Sequence, residues 1–507
     1  MQPGGIAEVL KSAAPARSND GSPFDRPALQ LVVLAVAGLV LRWSTFGDPN
    51  LAADEGFYHA VGLAMHHGAL PYVDVWDRKP LGLFLIYWAI AGITPDPLAY
   101  QLAAWACAVA TAAVIGAIAR RWTGPQGALL AGLVYLVWLT PLYGFGGQSP
   151  VFYNLPVAAA ALLLCQGLPQ VARGERSGRV ALAMLLAGAA ITVKTTVLFE
   201  ALFFGLAALA AAWRSRRPVA WVALRGLGWL ALGLAPTAAI ALGYAALGHW
   251  PEYWHAMVGA NLAKGTDWGG TAIRLILLWR LLLPLILATA GGLMLQGPRG
   301  RGFVEGWLIA ALFGLAAVPN FYPHYALPLL VVLCLAAAPL LDRGWIGLVA
   351  AAAMIALGLR AEPPFRPGQA DRSRAAFAAL SAAIRAHDGG RPLLVYAGPA
   401  QLYGMTGHAF PTPLAFETHL SQQAERNVSH LDTVAELRRV LAARPGAVVL
   451  PVQVRNGPAI PETWALVNTY VRQHCRPVAR RHVEDWLLAD DLVVWGDCHE
   501  PTVSGAR

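Results

Sequence analysis

Apolar stretches of about 18 or more residues recur between Leu29 and Leu359, and a helix of that length can cross the hydrocarbon core of a bilayer. Such segments begin near Leu29, Ala99, Gly127, Val151, Val180, Val197, Val219, Ile273, Phe303, Tyr325 and Trp345. Charge is scarce: 13% of the 507 residues are Asp, Glu, Lys or Arg, against about 25% in an ordinary soluble domain. The pattern predicts a mainly α-helical, polytopic membrane protein with about eleven transmembrane helices.

The net charge of +9 is mostly arginine placed between the apolar runs, which reflects topology rather than nucleic-acid binding. Arg120 and Arg121, Arg173, Arg176 and Arg179, Arg214, Arg216 and Arg217, Arg299 and Arg301, and Arg343 follow alternate spans. All then fall on one side, which the positive-inside rule makes cytoplasmic. The first run has no small-residue cleavage site after it and reads as an uncleaved signal anchor. The expected organisation is a cytoplasmic tail at 1–27, a transmembrane domain at 28–360 with an extracytoplasmic loop at 47–97, and an extracytoplasmic domain at 361–507.

Hydropathy falls after about Glu362. "RSRAAFAALSAAIRAH" and "TVAELRRVLAARPG" have helical spacing, "RPLLVYA" and "GAVVLPV" read as strands, and "WLLADDLVVWGD" reads as a hairpin centred on Asp490 and Asp491. The last part is therefore a small α/β domain. It lacks a Gly-rich phosphate loop after a strand. Cys107, Cys165 and Cys334 lie in apolar runs and read as core residues. Cys475 and Cys498 can pair if their compartment is oxidising.

The ionisable groups concentrate in "DEGFYHAVGLAMHHGALPYVDVWDRKPLG", Asp54 to Gly82. Asp54 precedes a helical pattern whose stripe is Phe57, Val61, Ala64 and Met65, so it reads as an N-cap. Glu55 is then an exposed acid in the first turn, where negative charge is favoured. The chemical alternative is that Asp54 is a base pointing into a cavity. Arg78 and Lys79 precede the 13-residue apolar segment Leu81 to Ile93, which is too short to span and reads as a helix at the membrane surface. The two cations suit lipid headgroup contact or, as a functional site, a phosphate, with Asp77 orienting Lys79. Lys194 in "AAITVKTTVLFE" sits between apolar spans, either snorkelling or functional. His324 and Tyr325 in "NFYPHYALPLL" read as belt residues or pocket residues. His66 and His67 are adjacent and diverge on a helix; no metal-ligand spacing and no Ser-centred nucleophile elbow occur.

An acid pair and a basic pair on one face suit transfer of a sugar from a lipid-borne phosphate. The leaving phosphate needs positive charge, and the acceptor hydroxyl needs a carboxylate within hydrogen-bond reach. Direct attack inverts the anomeric centre, since no second, nucleophilic carboxylate is identifiable.

These stretches resemble the polytopic GT-C-type glycosyltransferases that use polyprenyl-phosphate sugars: aminoarabinose transferases acting on lipid A, protein O-mannosyltransferases and rhizobial galacturonosyltransferases. "DEGFY", "PYVDVWDRKPLG", "ITVKTT", "HYALPLL" and "VYAGPAQLYGMTGHAFPTP" carry the likeness in order along most of the chain. The resemblance implies a catalytic role for Asp54, with Glu55 supporting it or linked to a divalent metal. It implies donor-phosphate contact for Lys79 and, around it, donor binding by Arg78, Asp77, Lys194, His324, Tyr325 and Tyr58. No cofactor beyond that metal is implied. The partners would be a polyprenyl-phosphate sugar, a glycan, lipid or protein acceptor, and membrane lipids, in a bacterial inner membrane with the site periplasmic. Two departures stand out. Leu81 replaces the second Pro of the motif, and "GGQSPVFYN" has no acid where many relatives carry one near the start of the fourth span. A transporter or flippase for lipid-linked sugars is the competing class, although paired halves and broken mid-membrane helices are absent from the pattern. A non-catalytic envelope scaffold is the third.

Overall fold

The computed structural model describes residues 26–263, 268–454 and 457–499; the predicted tail at 1–27 lies almost wholly outside them. Among the described residues, thirteen helices of 11 residues or more build the first part. They are α1 (Pro27–Arg42), α2 (Ala53–His66), α3 (Leu81–Ala91), α4 (Pro97–Ala119), α5 (Pro125–Leu139), α6 (Ser149–Ala172), α7 (Gly178–Ile191), α8 (Leu198–Arg214), α9 (Val219–Ala246), α10 (Trp268–Leu295), α11 (Pro298–Ala316), α12 (Leu327–Leu341) and α13 (Gly344–Ala361). All eleven expected spans are helical, but among the described residues only eight helices are long and apolar enough to cross a membrane. The count of eleven is therefore not carried over. With 15 and 14 residues, α5 and α7 reach only about 22 Å at 1.5 Å per residue. In α11, Arg301 and Glu305 pair at 2.7 Å in the opening turns, so its start is too polar.

Burial separates centre from rim. The span Pro323–Leu341 is 72% buried inside the protein and Val219–Ala246 only 6%. α12 packs against α5, α10 and α11 as the central rod, while α9 turns nearly all its leucines outward, where acyl chains replace side-chain neighbours.

Between α1 and α4 the chain folds as α2 and α3 packed on each other. The expected stripe on α2 is wider than its spacing suggested: Phe57 and Val61 are buried, but so are Glu55, Tyr58, His59 and Ala60. α3 buries Leu83, Phe84 and Tyr87 and leaves Leu85, Trp88 and the following Ile93 outward. Gly82 lets α3 touch the turn after α7. Its N–H bonds Thr192 O at 2.8 Å, and a Cβ there would lie 2.4 Å from Thr192 Oγ1.

The last part contains α14 (Gln369–His387), β1 (Leu393–Val395), α15 (Thr433–Ala442), β2 (Ala447–Pro451), α16 (Pro461–His474), β3 (Arg476–Glu484) and β4 (Ala489–Gly496). The sheet runs in the order β1-β2-β4-β3. β1 and β2 are parallel, and β4 is antiparallel to β2 and β3. The expected hairpin exists, but its turn is not at Asp490 and Asp491. Those two residues lie within β4, facing Val483 and His482. The turn is Asp485–Leu488, closed by Asp485 Oδ1 accepting from the N–H groups of Leu487 at 2.7 Å and Leu488 at 2.6 Å, an Asx turn. Cys475 and Cys498 form a disulfide, joining the end of α16 to the end of β4.

This part grips the loops that precede α2, α3 and α6. Trp486, at the hairpin tip, stacks on Phe145 with ring centres 4.3 Å apart and receives the Arg366 guanidinium at 4.0 Å. Its backbone N–H donates to Leu51 O at 3.0 Å. Gln401 Nε2 donates to Pro49 O at 3.1 Å and Asn50 Oδ1 at 2.9 Å, and Trp76 N–H to Pro413 O at 2.8 Å.

Candidate active site

The N-cap reading of Asp54 does not survive. α2 begins at Ala53, its N-cap is Ala52, and no side chain caps it. Asp54 is in the first turn, and its carboxylate accepts from Gln148 Nε2 at 3.1 Å. The backbone supplies the helix start by itself, through Gly56 N–H to Ala52 O at 3.0 Å, so the carboxylate is available for a tertiary partner.

Arg42, at the end of α1, fixes that partner. Its guanidinium donates to the carbonyls of Gly144 at 2.6 Å, Phe145 at 2.8 Å and Gly146 at 3.1 Å. Three bonds from one buried cation pin the loop before α6, and Gln148 sits at the N-terminal edge of α6. Tyr87 Oη adds a bond to Gly147 O at 2.8 Å. Neither Arg42 nor Gln148 stood out in the sequence. One is a single Arg at the end of the first span, outside every arginine cluster, and the other stands where an acid was sought.

Glu55 is not exposed but fully buried. It lies so close to Gly146 that a Cβ there would be 2.1 Å from Oε2. Burial pushes its carboxyl up to about 8, against the lowering effects of the Gly147 backbone and the Arg42 guanidinium. Glu55 is thus neutral at pH 7 while Asp54 is charged. Burial works to raise Asp54 as well, but the Lys79 ammonium, His324, the Gln148 amide and Lys194 outweigh it and hold the carboxyl below its usual value.

Lys79 reaches the same place from the loop before α3. Asp77 Oδ1 accepts the N–H groups of Arg78 at 2.5 Å and Lys79 at 3.0 Å, which curls the chain, and the Lys79 ammonium lies 3.7 Å from that oxygen. Burial disfavours the charged ammonium, yet Asp77 and then Asp54 more than offset this and raise its pKa. The ammonium also lies over the Tyr58 ring at 5.4 Å. Tyr58 is fully buried and packs edge-on to Tyr87 at 5.6 Å.

Arg78 turns away from a headgroup role. It pairs with Glu425 of the C-terminal part at 2.8 Å and lies over the Trp76 ring at 5.9 Å. It holds the loop in place rather than joining Lys79.

Lys194 and His324 come from the other wall. Lys194 occupies the turn between α7 and the 3-10 turn Thr195–Val197 and lies 5.2 Å over the Tyr325 ring. His324 packs edge-on to Tyr325 at 4.5 Å and stacks on Tyr322 at 5.9 Å. Ser149, Tyr153, Lys194, His324 and Tyr325 line one cavity of about 20 Å³, room for about one water. Asp54, Lys79, Lys194, His324, Tyr325 and Tyr58 are therefore neighbours at one end of the bundle. Asp77 supports Lys79 from below. Among the described residues no three His, Cys, Asp or Glu side chains come together as a metal set.

The arrangement offers one ionised carboxylate, one firmly charged ammonium and a second lysine, walled by aromatic rings. It can accept a proton, neutralise a developing phosphate charge and seat an apolar chain.

The sequence matches no protein-family model and no curated protein. Solved structures do match. ArnT from Cupriavidus metallidurans bound to undecaprenyl phosphate superposes with a TM-score of 0.60 at 16% identity, covering 94% of this chain and 99% of that one. The Archaeoglobus fulgidus oligosaccharyltransferase is more distant. Its complex with Zn and sulfate gives 0.42 at 11% identity over 83% of this chain and 67% of that one. Its apo form gives 0.46 at 10% over 84% and 69%. Helix order, the paired short helices after the first span and the C-terminal α/β part thus belong to one architecture over nearly the full length: the chain has the fold of ArnT.

Proposed function

We propose that this protein is a membrane glycosyltransferase that moves a sugar from a polyprenyl-phosphate donor to a hydroxyl of an extracytoplasmic glycolipid, polysaccharide or protein. The observation that carries the reading is the pairing of an ionised Asp54, held by Gln148, with Lys79 in one aromatic-walled recess. The fold shared with an undecaprenyl-phosphate-bound protein supports a lipid phosphate as donor.

In this reading the acceptor hydroxyl gives its proton to Asp54 as its oxygen attacks the anomeric carbon. The bond from that carbon to the phosphate oxygen breaks, and the electron pair stays on the phosphate. Lys79 stabilises the dianion formed, a charge that exists only late in the reaction and so lowers the barrier. Attack opposite the phosphate inverts the anomeric centre. Lys194 and His324 border the phosphate side, Tyr58 and Tyr325 seat the sugar or the first isoprene units, and Glu55 supports Asp54 as a neutral, buried neighbour. A hexose or pentose fits this scheme equally. The residues from 28 to 360 form the transferase domain, and the described residues of 361–507 close over its loops.

The arginine clusters lie at the helix ends away from Asp54, which supports a site on the extracytoplasmic face of a bacterial inner membrane. A divalent metal fits the scheme only as an addition to Lys79, and transfer in chelator with and without added Mg²⁺ or Mn²⁺ measures its share.

The test is transfer by the purified protein supplied with polyprenyl-phosphate sugars. Asp54→Asn should lower kcat by roughly 10² to 10⁴, and Lys79→Ala by roughly 10² to 10³. Unchanged transfer in both variants removes the site assignment. Movement of lipid-linked sugar across a liposome membrane without any transfer replaces the enzyme reading with a transporter.

A further inference from the structure

A second built feature lies at the end of the bundle away from Asp54. α4, α6 and α8 all start beside the site, at Pro97, Ser149 and Leu198, and so end together at the far side, at Ala119, Ala172 and Arg214. There the ends of α6, α8 and α11 leave a groove of about 790 Å³. Its walls are apolar, with Leu168, Leu206 and Phe303 among them, and Arg121 and Arg214 stand at its mouth.

The two cations lack a counter-charge. Arg121 donates Nη2 to Cys165 O at 3.0 Å. Among the described residues neither Arg121 nor Arg214 has a carboxylate within ion-pairing distance, and both are exposed. Two other arginines at this end are paired, Arg173 with Glu175 at 2.7 Å and Arg301 with Glu305 at 2.7 Å; what sets Arg121 and Arg214 apart from the remaining ones is that both line the groove. The groove opens where the apolar spans Pro97–Ala119, Ser149–Ala172 and Thr195–Arg214 end.

An acyl tail alone would leave both guanidinium groups unused. A free anion would leave the apolar walls in contact with water, at about 25 cal/mol for each Å². One chemistry satisfies both halves: a phosphate attached to acyl chains. Guanidinium forks match phosphate oxygens, and basic pockets between membrane helices suit anionic headgroups. We propose that this groove binds an anionic phospholipid, its phosphate held by Arg121 and Arg214 and its chains along Leu168, Leu206 and Phe303. The site is separate from the transfer site and does not depend on the reading of Asp54.

Native mass spectrometry on the full chain, released from nanodiscs containing phosphatidylglycerol or phosphatidylcholine, reads the retained lipid. The wild type should keep phosphatidylglycerol in preference to phosphatidylcholine. Arg121→Gln with Arg214→Gln should reduce that retention roughly tenfold or more, while Arg343→Gln, a charge change at the same end but outside the groove, should leave it unchanged. Ala207→Trp fills the wall without altering charge and should reduce retention as well. Equal retention of both lipids by the wild type overturns the proposal. So does a loss in the double variant no larger than in Arg343→Gln, or full retention in Ala207→Trp. Inorganic phosphate retained by the wild type as well as phosphatidylglycerol is, and lost in the double variant, overturns it in favour of a plain anion site.

Discussion

Glu55→Gln separates the two neighbouring acids of the loop. The substitution keeps the shape of a side chain wedged against Gly146 and removes its proton chemistry. Burial lifts the Glu55 carboxyl from 4.5 to about 8, and each tenfold change in proton affinity corresponds to about 1.4 kcal/mol. Because the folded pKa lies above the unfolded one, the folded state holds the proton more tightly. Below pH 4.5 both states are protonated and no penalty exists. As pH rises from 4.5 to about 8, the unfolded state ionises first and stability falls. The loss reaches roughly 3 kcal/mol at pH 7 and saturates near 5 kcal/mol above pH 8. The variant lacks this component. Thermal unfolding in detergent between pH 4.5 and 8.5 should show wild-type stability declining relative to Glu55→Gln across that window. Transfer at pH 7 should be nearly unchanged, since a neutral amide replaces a neutral acid. Parallel stability curves, or a Glu55→Gln defect as deep as that of Asp54→Asn, would refute a buried, protonated Glu55.

Three other outcomes follow from contacts already described. The acid limb of the transfer rate should lie below about pH 4, because the charges around Asp54 hold its carboxyl under the usual value; a limb near pH 6 in a kcat profile contradicts that. Trp486→Ala removes the Phe145 stack and the Arg366 contact and should cost about 3 kcal/mol, read as a lower Tm, with transfer reduced as the 144–148 loop loosens; an unchanged Tm contradicts the docking. Reduction of the Cys475–Cys498 disulfide, which closes a sequence separation of 23, should cost about 3 kcal/mol, seen as a Tm drop in dithiothreitol that Cys475→Ser already shows in its absence.

Helices were legible because a bilayer leaves the backbone no other partner, so length and apolarity alone announce them. Their number was less legible, since α5 and α7 stop short of a full span, and composition does not mark where a helix stops and its flanking turn begins. Asp54, Lys79, Lys194 and His324 were visible as charge out of place. Their partners were not. Gln148 is 94 residues from Asp54 and Glu425 is 347 from Arg78, and nothing local distinguishes such an amide or acid from any other. The N-cap rule misplaced Asp54 by its own logic: an acid before an apolar pattern is the expected cap, but α2 is capped two residues earlier, at Ala52, which frees the side chain. The hairpin turn was missed for a similar reason. Two adjacent aspartates look like a turn, yet the single Asp485 closes it while Asp491 pairs with Arg480 at 2.6 Å.

The bond between Arg78 and Glu425 also has a meaning in time. Ribosomes add roughly 5 to 20 residues each second, so 347 residues of separation place about 20 to 70 s between the synthesis of one partner and the other. Trp486, which braces Phe145, comes later still. The loop bearing Asp54 and Lys79 is thus made early and waits, unbraced, for nearly the whole remaining chain. A nascent copy released or cleaved before its last hundred residues would sit in the membrane with its spans in order and its loop unfastened. Synthesis of the segment that carries Glu425 and Trp486 is what fastens it.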